Sequence, residues 1–286
     1  MELNYLNLNQ TKNLIGIGLN TGFIIKDLHN KILIKKNIGI INKIELYYNS
    51  NIIFLIDNNE LNILKIWNLK TDDYIEKKII EDFNIEILKI SKEYIYVSNN
   101  KIINIYDLNT LKIKNTFYIN NLILDIKSNY IVYNRCSGYI ETYNIKNNNG
   151  IINKCYDCNI QYIKISSTLK YVATISESGK HIKIFNLCNN SLVREYYRGI
   201  RNSKITYMDF DNNDETLFIY SDRGTLHIYK INEENQQFFD FEYSKYRISL
   251  NYKNILCVFG KDNILYIINK DNSIIEQYEH IKKINI

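Results

Sequence analysis

Three arginines, Arg194, Arg198 and Arg201, gather around Gly199 in "REYYRGIRNSKITYMDF" (194–210), in a chain otherwise rich in Ile, Asn, Lys and Tyr. A guanidinium presents a planar fork of donors that grips an oxyanion through paired hydrogen bonds, so this cluster is chemistry for an anion. Residue sets for other chemistry are missing. "CYDC" (155–158) is a lone CxxC without a second Cys/His pair, so no metal site is expected. The histidines, His29, His181, His227 and His280, lie in different parts of the chain without ligand spacing. No GxSxG, HExxH or phosphate-cradling glycine loop occurs, and Asp72-Asp73 and Glu233-Glu234 sit in polar turns. The expectation is a binding protein, not an enzyme, with no cofactor.

The elements that must position the arginines are repeats. An apolar strand followed by Asn, Asp or Lys and then Leu or Ile recurs as "GFIIKDL" (22–28), "LKIWNL" (64–69), "INIYDL" (103–108), "GYIETYNI" (138–145), "HIKIFNL" (181–187) and "TLHIYKI" (225–231). A weaker seventh copy is "ILYIINK" (264–270). The closing residues 28, 69, 108, 145, 187 and 231 are spaced by 41, 39, 37, 42 and 44, close to the period of about 40–45 for a four-stranded propeller blade. Each unit reads strand, polar turn, strand, tight turn, repeat strand, and the alternation in "LKIWNL" and "LHIYKI" is that of a half-buried strand. Blades are expected near 5–40, 42–80, 84–120, 122–156, 160–198, 204–248 and 252–280, as one all-β, seven-bladed β-propeller of the WD-repeat type over 1–286. An open array of β-sandwiches is the competing architecture. The Trp-Asp signature survives only as Trp67-Asn68 and as other aromatic-Asp or aromatic-Asn pairs.

Composition agrees. At 286 residues, 45% hydrophobic and 23% charged, the chain is globular, and its 25 Tyr and 11 Phe favour pleated surfaces. The absence of proline reads as the codon bias of an AT-rich genome. Five cysteines, an odd number, and a start, "MELNYLNLNQ", without a basic region ahead of an apolar stretch place the expected protein in a reduced, cytoplasmic compartment. No apolar run approaches the roughly 18 residues of a membrane span, so any membrane contact is expected to be peripheral. A net charge of +5 suits an anionic partner or a solvated surface. The 36 Lys and Arg are spread among 31 acids, so nucleic acid is not expected as a partner.

Residues 171–231, "YVATISESGKHIKIFNLCNNSLVREYYRGIRNSKITYMDFDNNDETLFIYSDRGTLHIYKI", resemble the PROPPIN family of phosphoinositide-binding propellers, which carries Phe/Leu-Arg-Arg-Gly between blades 5 and 6. "ATISESG" before the motif and "SDRGTLHIY" after it match as well. "LNYLNLNQTKNLIGIGLNTGFIIKDL" resembles the family's first blade and "CVFGKDN" (257–263) its last. The likeness spans nearly the whole chain and is specific in blades 5 and 6. Here the motif reads Tyr196-Tyr197-Arg198-Gly199, so its first arginine is Tyr197 and its second is kept.

The resemblance implies two pockets, because adjacent side chains on an extended segment point to opposite sides. It assigns Arg198, Ser221, Thr225 and His227 to the blade 6 pocket, with Arg223 where the family often has Lys; Arg201, which the family pattern does not demand, adds a nearby charge. In the blade 5 pocket Ser176 is kept, but Lys180, Lys183 and Tyr197 replace Thr, Arg and Arg, and the family's upstream His falls on Tyr156. One good pocket and one weakened pocket are expected. Taken singly, Ser221 and His227 also fit as ordinary braces of blade turns. The resemblance further implies a membrane-touching loop at 232–247, with Phe238, Phe239 and Phe241. Against this, Glu233, Glu234 and Asp240 oppose an anionic surface.

Two functions remain open. One is a monomeric effector of phosphatidylinositol 3-phosphate, or its 3,5-bisphosphate, on endosomal, vacuolar or autophagosomal membranes, recruiting autophagy or vesicle-trafficking proteins. The other is a protein-interaction propeller that has lost lipid binding.

Overall fold

The computed structural model describes residues 2–119, 123–231, 246–250, 252, 254–259 and 264–278. Ile-, Tyr- and Phe-rich segments separated by Asn, Asp, Gly and Ser turns form strands only, among the described residues. The first sheet is β1 (Leu3–Leu8), β2 (Leu14–Leu19), β3 (Gly22–Asp27) and β4 (Ile32–Lys36). The second is β5 (Ile41–Leu46), β6 (Ile52–Asp57), β7 (Ile63–Asn68) and β8 (Asp73–Ile80). The third is β9 (Ile87–Ile90), β10 (Tyr94–Ser98), β11 (Ile102–Asp107) and β12 (Ile113–Tyr118). The fourth is β13 (Leu124–Lys127), β14 (Tyr130–Cys136), β15 (Tyr139–Asn144) and β16 (Asn149–Lys154). The fifth is β17 (Ile160–Ile165), β18 (Tyr171–Ser176), β19 (His181–Asn186) and β20 (Leu192–Tyr197). The sixth is β21 (Ile205–Phe210), β22 (Thr216–Ser221), β23 (Thr225–Lys230) and β24 (Tyr246–Ser249). The seventh is β25 (Ile255–Phe259), β26 (Leu265–Asn269) and β27 (Ile275–Tyr278). Each sheet is a meander in chain order, and the seven follow the repeat boundaries read from the sequence within a few residues.

The recurring Asn or Asp has a definite local task. Asp27, Asn68, Asp107, Asn144, Asn186 and Asn269 each accept, through Oδ1, the backbone N–H two residues on at 2.9–3.1 Å. This Asx turn sends the chain from the repeat strand into the next one. Asn serves it as well as Asp because only an acceptor oxygen is needed, which accounts for the degenerate Trp-Asp signature. In the sixth sheet Lys230 stands at this place.

The chain separates into two compact units, 1–119 with 268–276 and 120–267 with 277–286. In the first, β1, β5 and β9 pack in succession, and Phe23, Ile41, Ile44, Leu55 and Trp67 form a buried cluster. In the second, β13, β17, β21 and β25 do the same. Between its fifth and sixth sheets lie Ile182, Ile184, Tyr196, Met208, Phe210, Leu217, Ile219 and Tyr229. Each such side chain contributes about 1.5–3 kcal/mol of burial, as an upper estimate.

One expectation is corrected in part: β15 alternates as a half-buried strand does, but in the repeat strand β23 every residue from Thr225 to Tyr229 is buried, and the neighbouring strands β18 and β22 are buried throughout. A central strand has neighbouring sheets on both faces, so burial does not alternate there. The outer strands β8, β12 and β16 are mostly exposed.

Polar ties lock successive sheets. The buried Asp214 carboxylate, ahead of β22, accepts from Ser166 Oγ at 2.6 Å, from the Ser167 N–H at 2.7 Å and from Thr168 Oγ1. That one side chain fastens the sixth sheet to the fifth, and the junction between these sheets carries the arginine motif.

Candidate functional site

The motif begins where β20 leaves its sheet. Arg198 N–H still bonds Lys180 O at 2.7 Å, and Gly199 then takes φ +151°. A Cβ at Gly199 would meet nothing within 4 Å, so only the backbone angle calls for glycine. At the opposing hairpin, Gly179 has φ +70°, and a Cβ there would lie 2.1 Å from Ser203 O. The two loops therefore meet backbone to backbone.

Tyr197 and Arg198 part as extended neighbours must. Tyr197 pairs with His181 across β19–β20, and their rings meet edge to face at 5.1 Å. By register, Glu195 and Lys183 lie on the same face, with Thr174 and Ser176 on β18. Lys183 Nζ is 3.9 Å from the Glu195 carboxylate and 5.2 Å above the Tyr156 ring. Buried Tyr156 donates its hydroxyl to Thr174 O at 3.0 Å and His181 O at 3.2 Å. Burial pushes this phenol well above its usual range. Ser176 Oγ accepts the His181 N–H at 3.2 Å. Lys180, half-buried, lies in the hairpin turn rather than on this face.

Arg198 turns the other way and is only 9% exposed. Its Nε donates to Gly179 O at 2.6 Å and its Nη2 to Arg201 O at 2.7 Å, so main-chain carbonyls from both loops hold the guanidinium. On the sixth sheet, Ser221 pairs with Thr225 and Ile219 with His227, which puts Ser221, Thr225, His227 and Tyr229 on one buried face. The Ser221 and Tyr229 hydroxyls are buried with no hydrogen-bond partner among the described residues. The His227 ring is stacked on Tyr229 at 6.4 Å. Burial raises the Tyr229 phenol, and the Arg198 charge opposes that rise.

Arg223 and Arg201 are placed differently. Arg223 is in the β22–β23 turn and donates to Asn202 O at 3.1 and 3.0 Å and to Ser203 Oγ at 3.0 Å, bracing the loop after the motif. Arg201 is exposed and lends its carbonyl to Arg198. Phe238, Phe239 and Phe241 lie outside the described residues. Sequence reasoning missed Tyr229 and Glu195; each sits two residues from a selected residue on its own strand, a parity that could have found them.

Chemically, the fifth-sheet face has one ammonium already near a carboxylate. The sixth-sheet face has a fixed guanidinium, an imidazole and buried hydroxyls with hydrogen-bonding capacity left over.

No family model matches the chain. It is 36% identical over 75 residues to SVP1-like protein 2 of Eremothecium gossypii, covering 26% of this chain and 19% of that protein. It is 25% identical over 198 residues to SVP1-like protein 2 of Kluyveromyces lactis, covering 66% and 58%. To autophagy-related protein 18 of Kluyveromyces marxianus it is 35% identical over 75 residues, covering 26% and 15%. The matched stretches thus span less than two thirds of these curated relatives. Among solved structures, Kluyveromyces lactis Hsv2 with its complete loop 6CD superposes with a TM-score of 0.89 at 19% identity, covering 98% of this chain and 95% of that one. Kluyveromyces marxianus Hsv2 gives 0.86 at 20%, covering 96% and 91%. A complex of KlAtg21 with the coiled coil of AgAtg16 gives 0.78 at 20%, covering 98% of each chain. The chain is a seven-bladed β-propeller of the WD-repeat type. Its resemblance to the PROPPIN family, carried in sequence by the junction of the fifth and sixth sheets, holds in fold as well.

Proposed function

We propose that this propeller is a non-catalytic phosphoinositide effector that binds phosphatidylinositol 3-phosphate, or the 3,5-bisphosphate, through the sixth-sheet face. The observation that supports this reading is a buried face carrying Ser221, Thr225 and His227, where the Ser221 hydroxyl has no partner among the described residues, with Arg198 held by two carbonyls in the adjoining junction. A phosphorylated inositol ring matches that set, since the guanidinium takes phosphate and the neutral groups take hydroxyls. Bound to endosomal, vacuolar or autophagosomal membranes, a monomeric protein of this kind recruits autophagy or trafficking proteins. The relatives named for autophagy support that role.

Flotation with vesicles bearing phosphatidylinositol 3-phosphate tests the reading. Arg198→Ala is expected to weaken binding tenfold or more, the loss of about 1.5–3 kcal/mol of charge-assisted hydrogen bonding. Undiminished binding by a folded variant would rule the site out.

A second reading, a protein-interaction propeller with no lipid ligand, draws on Tyr197 in place of the motif's first arginine and on Glu195 beside it. In that case the wild type fails to float at all.

A further inference from the structure

Among the described residues, most large hydrophobics that are well exposed lie on strands that edge a sheet, as Ile32, Ile75, Tyr118, Ile152 and Leu192 do. Three are off the strands: Ile40 at 41% exposure, Ile274 at 50% and Ile200 at 83%. A single exposed apolar residue is ordinary on a protein surface. Ile200 differs in its setting, directly after Arg198-Gly199 in the loop that joins the fifth sheet to the sixth.

That loop is braced on both sides of Ile200. Arg198 Nη2 bonds the Arg201 carbonyl at 2.7 Å, Arg223 forks onto the Asn202 carbonyl, and the Ser203 N–H bonds Ser178 O at 3.1 Å. The space beside Gly199 is open. An apolar tip on a pinned backbone is pre-organised, so little chain entropy is lost when it is buried. In this loop and the two hairpin turns bonded to it, Arg201, Lys204 and Arg223 are exposed and Lys180 is half-buried; Glu177 and Asp222 are the exposed acids of those turns. With Arg198, five cations face two acids.

We propose that Ile200 is an interfacial anchor: when the sixth-sheet face holds its phosphoinositide, Ile200 enters the boundary between headgroups and acyl chains while Arg201, Lys204 and Arg223 meet anionic headgroups. The inference rests on the phosphoinositide reading and adds the bilayer as a second contact made by the motif loop itself. An apolar tip on a loop with exposed cations is the pattern that suits an anionic membrane interface. A soluble protein partner would need a broader apolar patch around the tip than one side chain supplies.

The test separates headgroup from bilayer. Wild type and Ile200→Ser are titrated with soluble inositol 1,3-bisphosphate and with phosphatidylcholine vesicles containing phosphatidylinositol 3-phosphate. The expected result is unchanged headgroup affinity and about fivefold weaker vesicle binding, as for partial burial of one aliphatic side chain. The chain's single tryptophan, Trp67, is buried, so the indole introduced by Ile200→Trp gives a separate signal. Its emission should shift to the blue on those vesicles and not with the soluble headgroup. Equal vesicle binding by wild type and Ile200→Ser, with headgroup binding intact, overturns the anchor and leaves the phosphoinositide reading standing. Loss of headgroup and vesicle binding in the wild type itself overturns both.

Discussion

The fifth and sixth sheets present the same hairpin, with opposite outcomes. Both place a serine at the end of the second strand, Ser176 and Ser221, and Tyr197-Arg198 leads from the fifth sheet into the connection to the sixth. On the fifth, Ser176 accepts a main-chain N–H, the Tyr156 hydroxyl is spent on two carbonyls, and Lys183 lies near Glu195. On the sixth, the guanidinium is fixed and the Ser221 and Tyr229 hydroxyls are buried without a partner among the described residues. Leaving a buried polar group unbonded costs about 1–3 kcal/mol, which the proposed ligand would recover by bonding both hydroxyls. Equivalent backbones thus give one self-satisfied face and one with bonding capacity to spare.

The largest effect is expected where the fifth-sheet hairpin meets the loop after the motif. Gly179→Ala forces a Cβ to 2.1 Å from Ser203 O at a left-handed φ, and is expected to destabilise by about 3 kcal/mol, a fall in Tm of roughly 10 °C. Gly199→Ala, with open space around it, should cost only about 1–2 kcal/mol. Equal melting curves for the two variants would contradict the loop-on-loop packing.

A gain of function sharpens the contrast next. Tyr197→Arg together with Glu195→Gln restores a cation and removes the opposing carboxylate on the fifth-sheet face. Vesicle binding should rise about tenfold, since a second site on one chain acts through effective concentration. Tyr197→Arg alone should gain less, and parity between single and double variants would show that Glu195 does not matter.

The smallest effects are the most specific. Tyr156→Phe removes a hydroxyl that bonds two carbonyls and should cost about 1–2 kcal/mol by urea denaturation. Tyr229→Phe removes one without a partner among the described residues and should leave stability unchanged within about 0.5 kcal/mol. A large loss in Tyr229→Phe would mean that this hydroxyl is already satisfied in the free protein.

Much of this architecture is legible in the chain. The spacing of Leu28, Leu69, Leu108, Ile145, Leu187 and Ile231 marks the sheets, because the turns out of the repeat strands, the sixth excepted, use an acceptor side chain at one place. The direction of Tyr197 and Arg198 follows from strand parity. Burial did not follow from pattern: Thr225 and His227 are polar, yet both are enclosed because a neighbouring sheet covers their face. Sequence likeness alone places Arg223 among the binding cations, whereas its bonds to the Asn202 carbonyl and the Ser203 hydroxyl depend on the preceding connection folding against it.

Residue order alone therefore determined the period, the strand type and the presence of one arginine where two are usual. Those are local properties, set by side-chain volume, β-branching and turn chemistry within a few residues. Tertiary structure alone decided which hydroxyls are spent and which remain, and that Glu195 shares a face with Lys183. Such partnerships form between residues far apart in the chain, and only the register of strands and the approach of one sheet to the next bring their atoms within hydrogen-bonding distance.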